Sequence, residues 1–557
     1  MNTFSQKLKN HYYKIPDKTI ITLQYADAPD QHISYAELVH GAAGYAQAFQ
    51  DVGIHPGEVV IIILKHGVDL IYAFWGAVLH GAIPSILPFL TEKLSPEVYR
   101  QSLTSLIGIT SPAAFITYPD FVDEVQQAAT GVDSPPAILT SGGISSQSAP
   151  NFETLSGFQR DSSDIALLQH SSGTTGLKKG VALTHQAVFN QLKSYGRALK
   201  LRDDDVVISW LPLYHDMGLI AGFLLPILSG LHLVLSSPFD WIRAPQKLFE
   251  AVSQYQGTLT WLPNFAYNFC AKKLRPRHLE GIDLSSLRVV TNCSETIHWK
   301  SHQIFLERFE SYGLAPSALA ASYAMAENVF AVTQGGGGHR PMTVDEIDAR
   351  DFQSERIARP SKGENTIKWV SSGTPLDNAE VRVLGDNLQE LPERGVGEIV
   401  LRSDCMLTEY FNRPNTTQQA FLDGWYRTGD IGYIAEGEIF VTGRKKELII
   451  VGGKNIYPQD LERLANEVPG VYPGRVVAFG LYNENIGTEE IVIIAESETT
   501  DPDQKQAIAT QIRQKINQGT DTVVRYVRVV EPKWLIKTSS GKIARGANRQ
   551  QYIEEFG

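Results

Sequence analysis

The densest group of chemistry-bearing residues is Ser171-Ser172-Gly173-Thr174-Thr175-Gly176-Leu177-Lys178-Lys179-Gly180. Its glycines permit tight backbone turns. Its hydroxyls and lysines supply donors and positive charge, so side chains and backbone amides can wrap the oxygens of a polyphosphate. The segment is not a Walker loop, because the required spacing of glycine to a Lys-Ser/Thr pair is missing. By composition alone, a flexible surface loop is an equal reading. Four further groups follow in order. Tyr323-Ala324-Met325-Ala326-Glu327 sets an aromatic face beside a carboxylate. Tyr426-Arg427-Thr428-Gly429-Asp430 and Gly443-Arg444-Lys445-Lys446-Glu447 come next, and Lys537-Thr538-Ser539-Ser540-Gly541-Lys542 lies near the end. Taken singly, each is also a core tyrosine, a solvated turn, a charged strand end or a basic tail. In this order they suit chemistry at phosphates, where positioning and charge neutralisation do most of the catalysis.

Groups so far apart need a large scaffold. The 557 residues exceed what one core supports, roughly 250–300, so at least two domains are expected. Hydrophobic residues at 43% and charged residues at 20% are those of an ordinary globular chain. A net charge of −11 argues against nucleic acid as a partner. A site for small anions must therefore carry its own local positive charge. Cys270, Cys293 and Cys405 are too few and too widely spaced for a disulfide framework or a zinc site, which suits a reducing cytoplasm. The first residues lack the apolar core of a signal peptide. Residues 217–235 are nearly long enough to span a bilayer. Pro226 and Ser229-Gly230 interrupt them, so they read as a buried helix, turn and strand, with a membrane span as the alternative.

Residues 34–49 have helical apolar spacing, with Ser34 as N-cap and Glu37 three residues on. Residues 58–64, EVVIIIL, form a continuous run suited to a strand buried on both faces. A helical pattern resumes at 68–79. Strand signals recur at 113–117, 205–208, 232–235 and 287–291. This rhythm predicts parallel α/β architecture. Residues 165–168 and 181–183 flank the hydroxyl-rich segment as strands. After about residue 365, short alternating runs at 379–384, 397–401 and 438–442 predict a small antiparallel barrel or sheet. Beyond Arg444, strands at 476–479 and 491–496 and a helix at 503–518 predict a separate α+β unit.

The motifs and their order resemble the adenylate-forming enzymes: acyl-CoA synthetases, adenylation domains of peptide synthetases, luciferases and fatty-acyl-AMP ligases. The resemblance runs through nearly the whole chain. It implies an α/β fold with an N-terminal unit at residues 1–443, including a β-barrel at about 365–443. A small mobile α+β unit would follow at 444–557. It implies two half-reactions: attack of a carboxylate on the α-phosphorus of ATP, then thiol attack on the acyl-adenylate. Ser171, Ser172, Gly173, Thr174, Thr175, Gly176 and Lys179 would hold the phosphates, and Thr175 and Glu327 would place Mg²⁺. Tyr323 would stack on adenine, with Asn292, Ser322, Ala324 and Met325 beside it. Asp430 would accept the ribose hydroxyls, and Arg444 would sit at the nucleotide. Lys446 matches the hinge. Lys542 would bridge substrate carboxylate and α-phosphate, and His215 would join Lys542 and Glu327 as the catalytic set.

Ser209-Trp210-Leu211-Pro212-Leu213-Tyr214-His215-Asp216-Met217-Gly218-Leu219 looks like the fatty-acyl-AMP ligase version of its motif, as does Trp261-Leu262-Pro263-Asn264-Phe265-Ala266-Tyr267. The 44 residues between Glu327 and Ser372 match an insertion that, in those ligases, restrains domain movement and disfavours CoA. Gly452-Gly453-Lys454-Asn455 resembles CoA ligases at least as well, and Cys293 stands where glycine is common. The expected acceptor is an acyl carrier protein's phosphopantetheine, with free CoA as the alternative. The expected acid is apolar, probed by Phe223, Trp261, Phe265 and Phe269, which are equally readable as core filler. A non-catalytic nucleotide-binding regulator is the competing class; Lys542 and Glu327 argue against it.

Overall fold

The computed structural model describes residues 3–90, 96–132, 134–147, 150–170, 179–338, 341–363, 365–451, 454–483, 488–519, 523–538 and 541–556. Among these, nine strands form the largest sheet. Their order is Thr374–Pro375, Thr333–Gly336, Leu319–Ala321, Val289–Asn292, Leu259–Leu262, Val206–Ser209, His232–Ser236, Thr19–Gln24, Gln31–Ser34. The pairs from Leu319–Ala321 across to Thr19–Gln24 are parallel, and the edge pairs are antiparallel. A second, all-parallel sheet orders Ile83–Ile86, Val59–Ile63, Ala114–Thr117 and Ala137–Thr140. Val59–Ile63 shows why the sheets are parallel. Every residue in it is β-branched and buried, as a strand covered on both faces requires.

The helix Tyr35–Asp51 begins at a capping box. The Ser34 hydroxyl accepts the Glu37 N–H, and the Glu37 carboxylate accepts the Ser34 N–H at 2.8 Å; such a cap contributes about 1 kcal/mol. This helix packs on Val68–His80. A Cβ at Gly76 would fall 2.4 Å from that of Tyr45, so only glycine allows the approach. Residues 217–235 are a wide π-helix at Met217–Leu224, a short helix at Leu225–Ser229 and the strand His232–Ser236. No helix among the described residues is long and apolar enough to cross a membrane.

Ile165–His170 and Gly180–Thr184 pair antiparallel, with His170 opposite Gly180. The hydroxyl-rich segment connects these strands. Ser171, Ser172, Gly173, Thr174, Thr175 and Gly176 lie outside the described residues.

Beyond residue 365 the pairing turns antiparallel, in the order Ala379–Leu384, Gly397–Ser403, Trp425–Ala435, Phe421–Leu422, with Glu438–Arg444 against Trp425–Ala435. A hairpin of Val344–Asp348 and Thr366–Val370 packs against this sheet. The hairpin belongs to the long segment between Glu327 and Ser372. Phe352, at its tip, shares a core with Trp369, Tyr433, Phe440 and Tyr457. Its ring centroid is 5.4 Å from that of Tyr457.

The last unit is a sheet of Val476–Asn483, Thr488–Glu496 and Tyr526–Val530 with helices on both faces. Strand alternation sorts its residues. Val476 and Ala478 meet Leu461, Ile512 and Ile516 on one face, while Val477 and Phe479 meet Tyr552 on the other. Asp460, in the first turn of Pro458–Asn466, is buried. Its Oδ2 has no hydrogen-bond partner among the described residues. Burial pushes its pKa up to about 6, and Arg463 opposes the shift. A carboxyl raised in the folded state stabilises at low pH, and that contribution is lost as pH rises through about 6. Asp460→Asn is therefore expected to raise stability at pH 8, by the order of 2–3 kcal/mol, and to leave it unchanged near pH 4. Melting curves at the two pH values check this; an equal effect at both would count against it.

Candidate active site

In open parallel sheets, ligands bind beyond the carboxyl ends of the strands. Four neighbouring strands of the large sheet deliver the cavity-lining and nucleotide-candidate residues there. Trp210 and Leu211 follow Val206–Ser209, and Pro263 and Phe265 follow Leu259–Leu262. Ser294 and Glu295 follow Val289–Asn292, and Ser322 to Met325 follow Leu319–Ala321. A cavity of about 40 Å³ lies among them, lined by Trp210, His215, Met217, Phe265, Glu295 and Lys542 with their neighbours. Lys542 comes from the C-terminal unit. It stands on a turn closed by Thr538 N–H to Lys542 C=O (2.7 Å) and Gly541 N–H to Thr538 C=O (2.9 Å). Gly541 has φ of 85°, the left-handed region that favours glycine.

The cavity is charged as well as apolar. Glu295 accepts the Phe265 N–H at 2.6 Å. Burial raises its pKa above the usual carboxylate range, opposed by that hydrogen bond and by Lys542. His215 Nδ1 lies 3.7 Å from Asp216 Oδ1. Burial pushes Asp216 up, but His215 and Lys542 hold it below its ordinary value. Ser294, at the rim, has φ of 77°; such backbone costs energy for a non-glycine residue and clusters at functional sites.

A second group gathers around Asp430. Tyr323 donates its hydroxyl to Asp430 Oδ2 at 2.6 Å, and Arg444 Nε lies 3.0 Å from Oδ1. Each carboxylate oxygen keeps a free lone pair for a further donor. Thr333 orients both neighbours: its hydroxyl oxygen accepts the Tyr323 N–H at 3.0 Å, and its carbonyl accepts the Ser322 hydroxyl at 2.7 Å. Met325 N–H donates to Phe330 C=O, and Ala324 bridges to Ala331, which closes the turn that carries Glu327. Asn292 is buried and bonded to Asn264 (3.0 Å) and His302 (2.8 Å). Its Oδ1 has no partner among the described residues.

A third group is Glu327, Tyr410 and Lys179. Tyr410 donates to Glu327 Oε1 at 2.8 Å, and Lys179 Nζ lies 4.4 Å above the Tyr410 ring. Burial raises Glu327 above its usual range and lowers Lys179 below its own. Lys446 adds to the depression of Lys179. An anion beside Lys179 and a cation beside Glu327 would each restore the charged form.

Of the residues singled out from sequence, His215, Phe265 and Lys542 share the cavity, and Tyr323, Asp430 and Arg444 touch one another. Phe223 and Trp261 do not line that cavity. Phe223 is fully buried against Phe74 and Trp75, and Trp261 donates to the Tyr195 hydroxyl at 2.7 Å. Both pack within the hydrophobic core. Phe269 backs the cavity wall through Trp241, at 5.2 Å. Sequence reasoning missed Tyr410, 83 residues from its partner Glu327, and gave no role to Glu295.

Comparison with known proteins shows the family. The family model described as AMP-binding enzyme matches residues 8–411. The chain is 30% identical to the 4-hydroxyphenylalkanoate adenylyltransferase of Mycobacterium tuberculosis, over 89% of this chain and 82% of the relative. It is 28% identical to the long-chain-fatty-acid–AMP ligase FadD26 of Mycobacterium bovis, over 96% and 95%. A chain from structural and functional studies of fatty acyl-adenylate ligases from E. coli and L. pneumophila superposes with a TM-score of 0.90 at 25% identity, covering 100% of this chain and 98% of that one. With a family model spanning most of its length and an acyl-adenylate ligase fold matching it from end to end, the chain belongs to the AMP-binding, adenylate-forming enzymes.

Proposed function

We propose that this enzyme activates a fatty or related apolar carboxylic acid as its acyl-AMP and passes the acyl group to the phosphopantetheine thiol of an acyl carrier protein. The observation that carries this reading is the placement of Lys542. A lysine from the C-terminal unit enters a small cavity at the strand ends, beside His215 and apolar walls. The acid's carboxylate attacks the α-phosphorus of ATP, and the bond to pyrophosphate breaks. Two anions must approach for this, and the Lys542 ammonium offsets their repulsion. Asp430 keeps lone pairs for the ribose hydroxyls, and the orphaned Asn292 Oδ1 suits an exocyclic base amine. Lys179 supplies positive charge for the polyphosphate.

No group of three or more metal-ligating side chains occurs among the described residues. Glu327 alone fits Mg²⁺, which takes most of its ligands from phosphates and water. When bound, the ion would neutralise phosphate charge. In the second half-reaction the unit from residue 444 swings about Lys446, and a thiol attacks the acyl carbonyl and releases AMP.

The preference for a carrier protein over CoA rests on Phe352. Its contact with Tyr457 ties the long segment to the start of the C-terminal unit, which favours the pose that keeps it. A carrier protein adds an interface to overcome that bias; CoA has only its own contacts. Purified enzyme with ATP and Mg²⁺ is expected to release pyrophosphate when supplied with apolar acids. It should load a phosphopantetheinylated carrier far better than CoA. Deleting part of residues 335–357 should raise CoA turnover and spare adenylation. Efficient CoA thioester formation by the unmodified enzyme would make it a CoA ligase. ATP binding without acid-dependent pyrophosphate release would favour a regulator.

A further inference from the structure

The cavity beside Lys542 is small, and one indole of a stacked pair lines it. At about 40 Å³ it is well below the roughly 150 Å³ that accommodates a benzene-sized group. Trp210 lines it directly. Trp241 comes from the helix Pro238–Arg243, which follows the adjacent strand His232–Ser236. The two rings lie face to face, with centroids 3.6 Å apart and planes 4° from parallel. Phe265 stands edge-on to both at 6.3 and 6.2 Å. On the far side of the same short helix, Phe239 and Ile242 are exposed.

We propose that the Trp210–Trp241 stack sets the length of the acid this enzyme accepts. The proposal rests on the reading above, that this cavity takes the acyl group. One small cavity touches both Lys542 and Trp210, so a chain whose carboxylate meets Lys542 runs directly into the first indole. A longer chain must displace an indole from a close-packed stack, and packed interiors resist added volume. The favoured acid is therefore one short enough to stop at the Trp210 ring. The stack is held by packing alone: neither indole N–H has a hydrogen-bond partner among the described residues. Truncating either ring leaves no acceptor orphaned.

The test is acid-dependent pyrophosphate release by the full chain across straight-chain acids from acetate to palmitate. The wild type should work best at the short end. Trp210→Ala should move the optimum to longer acids, because truncating a buried ring leaves a void the chain can enter. It should also lower kcat/KM for the best short acid by about tenfold, because a loosely held chain loses position. If Trp210→Ala does not fold, Trp241→Leu gives the same reading, with a shift in the same direction. A wild-type optimum at palmitate, or an unchanged profile in a folded variant, overturns the proposal and leaves acyl activation standing. No pyrophosphate release with any acid overturns both.

Discussion

Lys542→Ala lowers acyl-adenylate formation by about 10²–10³, the loss that follows removal of one strong transition-state donor. The cause is local charge. Two carboxyl groups already stand near this position, Glu295 in the cavity lining with Lys542 and Asp216 close by, and the substrate adds a third. Without the ammonium, the substrate carboxylate would meet both a polyphosphate and Glu295 with nothing to offset the repulsion. Glu295 would then take up a proton more readily, since Lys542 is one of the groups that holds its pKa down. The residual activity of the variant should therefore favour lower pH than the wild type. Thioester formation from supplied acyl-adenylate should survive, because that step needs the C-terminal unit elsewhere. Stopped-flow pyrophosphate release and a separate thiolation assay separate the two. Equal losses in both half-reactions, with the fold intact, would refute the role given to Lys542.

Arg545→Met should cost 3–5 kcal/mol of stability at pH 8, the usual result of leaving buried charge without its partner. Arg545 opens the helix Arg545–Phe556 and sits between two carboxylates. It pairs with Glu447, just past Arg444, and with Glu462 at 2.7 Å. Its Nε donates to Ala478 C=O at 2.8 Å, and Glu462 also accepts the Ala478 N–H at 2.9 Å. The guanidinium thus ties the segment carrying Lys542 to three other elements. Burial already raises Glu462 even with the arginine present. Without it, the Glu462 pKa rises further, and a raised folded-state pKa means stability lost as pH increases. The deficit should shrink at pH 5, where a proton replaces the arginine. Arg545→Lys keeps the charge but loses the planar fork, so it should fall between. Thermal melts of the three proteins at both pH values measure this. A deficit below about 1 kcal/mol, or one that ignores pH, would show that the cluster does not act as argued.

Local rules were the most readable part of the sequence. Ser34 and Glu37 announced a helix start, and the box is present. The run around Val59–Ile63 announced a strand covered on both faces, and the alternation at Ala379–Leu384 an antiparallel one. The order of the short motifs announced the family. Which aromatic ring faces the cavity was not readable. Trp261 lies in a strand buried on both sides, so alternation offers no outward face. Phe223 lies in a π-helix, whose wider turn shifts residues off the helical spacing on which a facing argument depends. Tyr410 and the Trp210–Trp241 pair depend on contacts between distant strands, and neither leaves a periodic mark in the chain.

The Phe352 contact has a consequence for handling the protein. Phe352, Trp369, Tyr433 and Phe440 form one buried aromatic group, and Tyr457 closes it from the other side of the hinge. A chain cut at residue 443 would lack that ring and lay Phe352 open to water. Exposed contiguous apolar surface is where unrelated molecules adhere. The N-terminal unit expressed alone should therefore be colloidally poor, and the cure is a polar side chain at position 352 rather than a different end point.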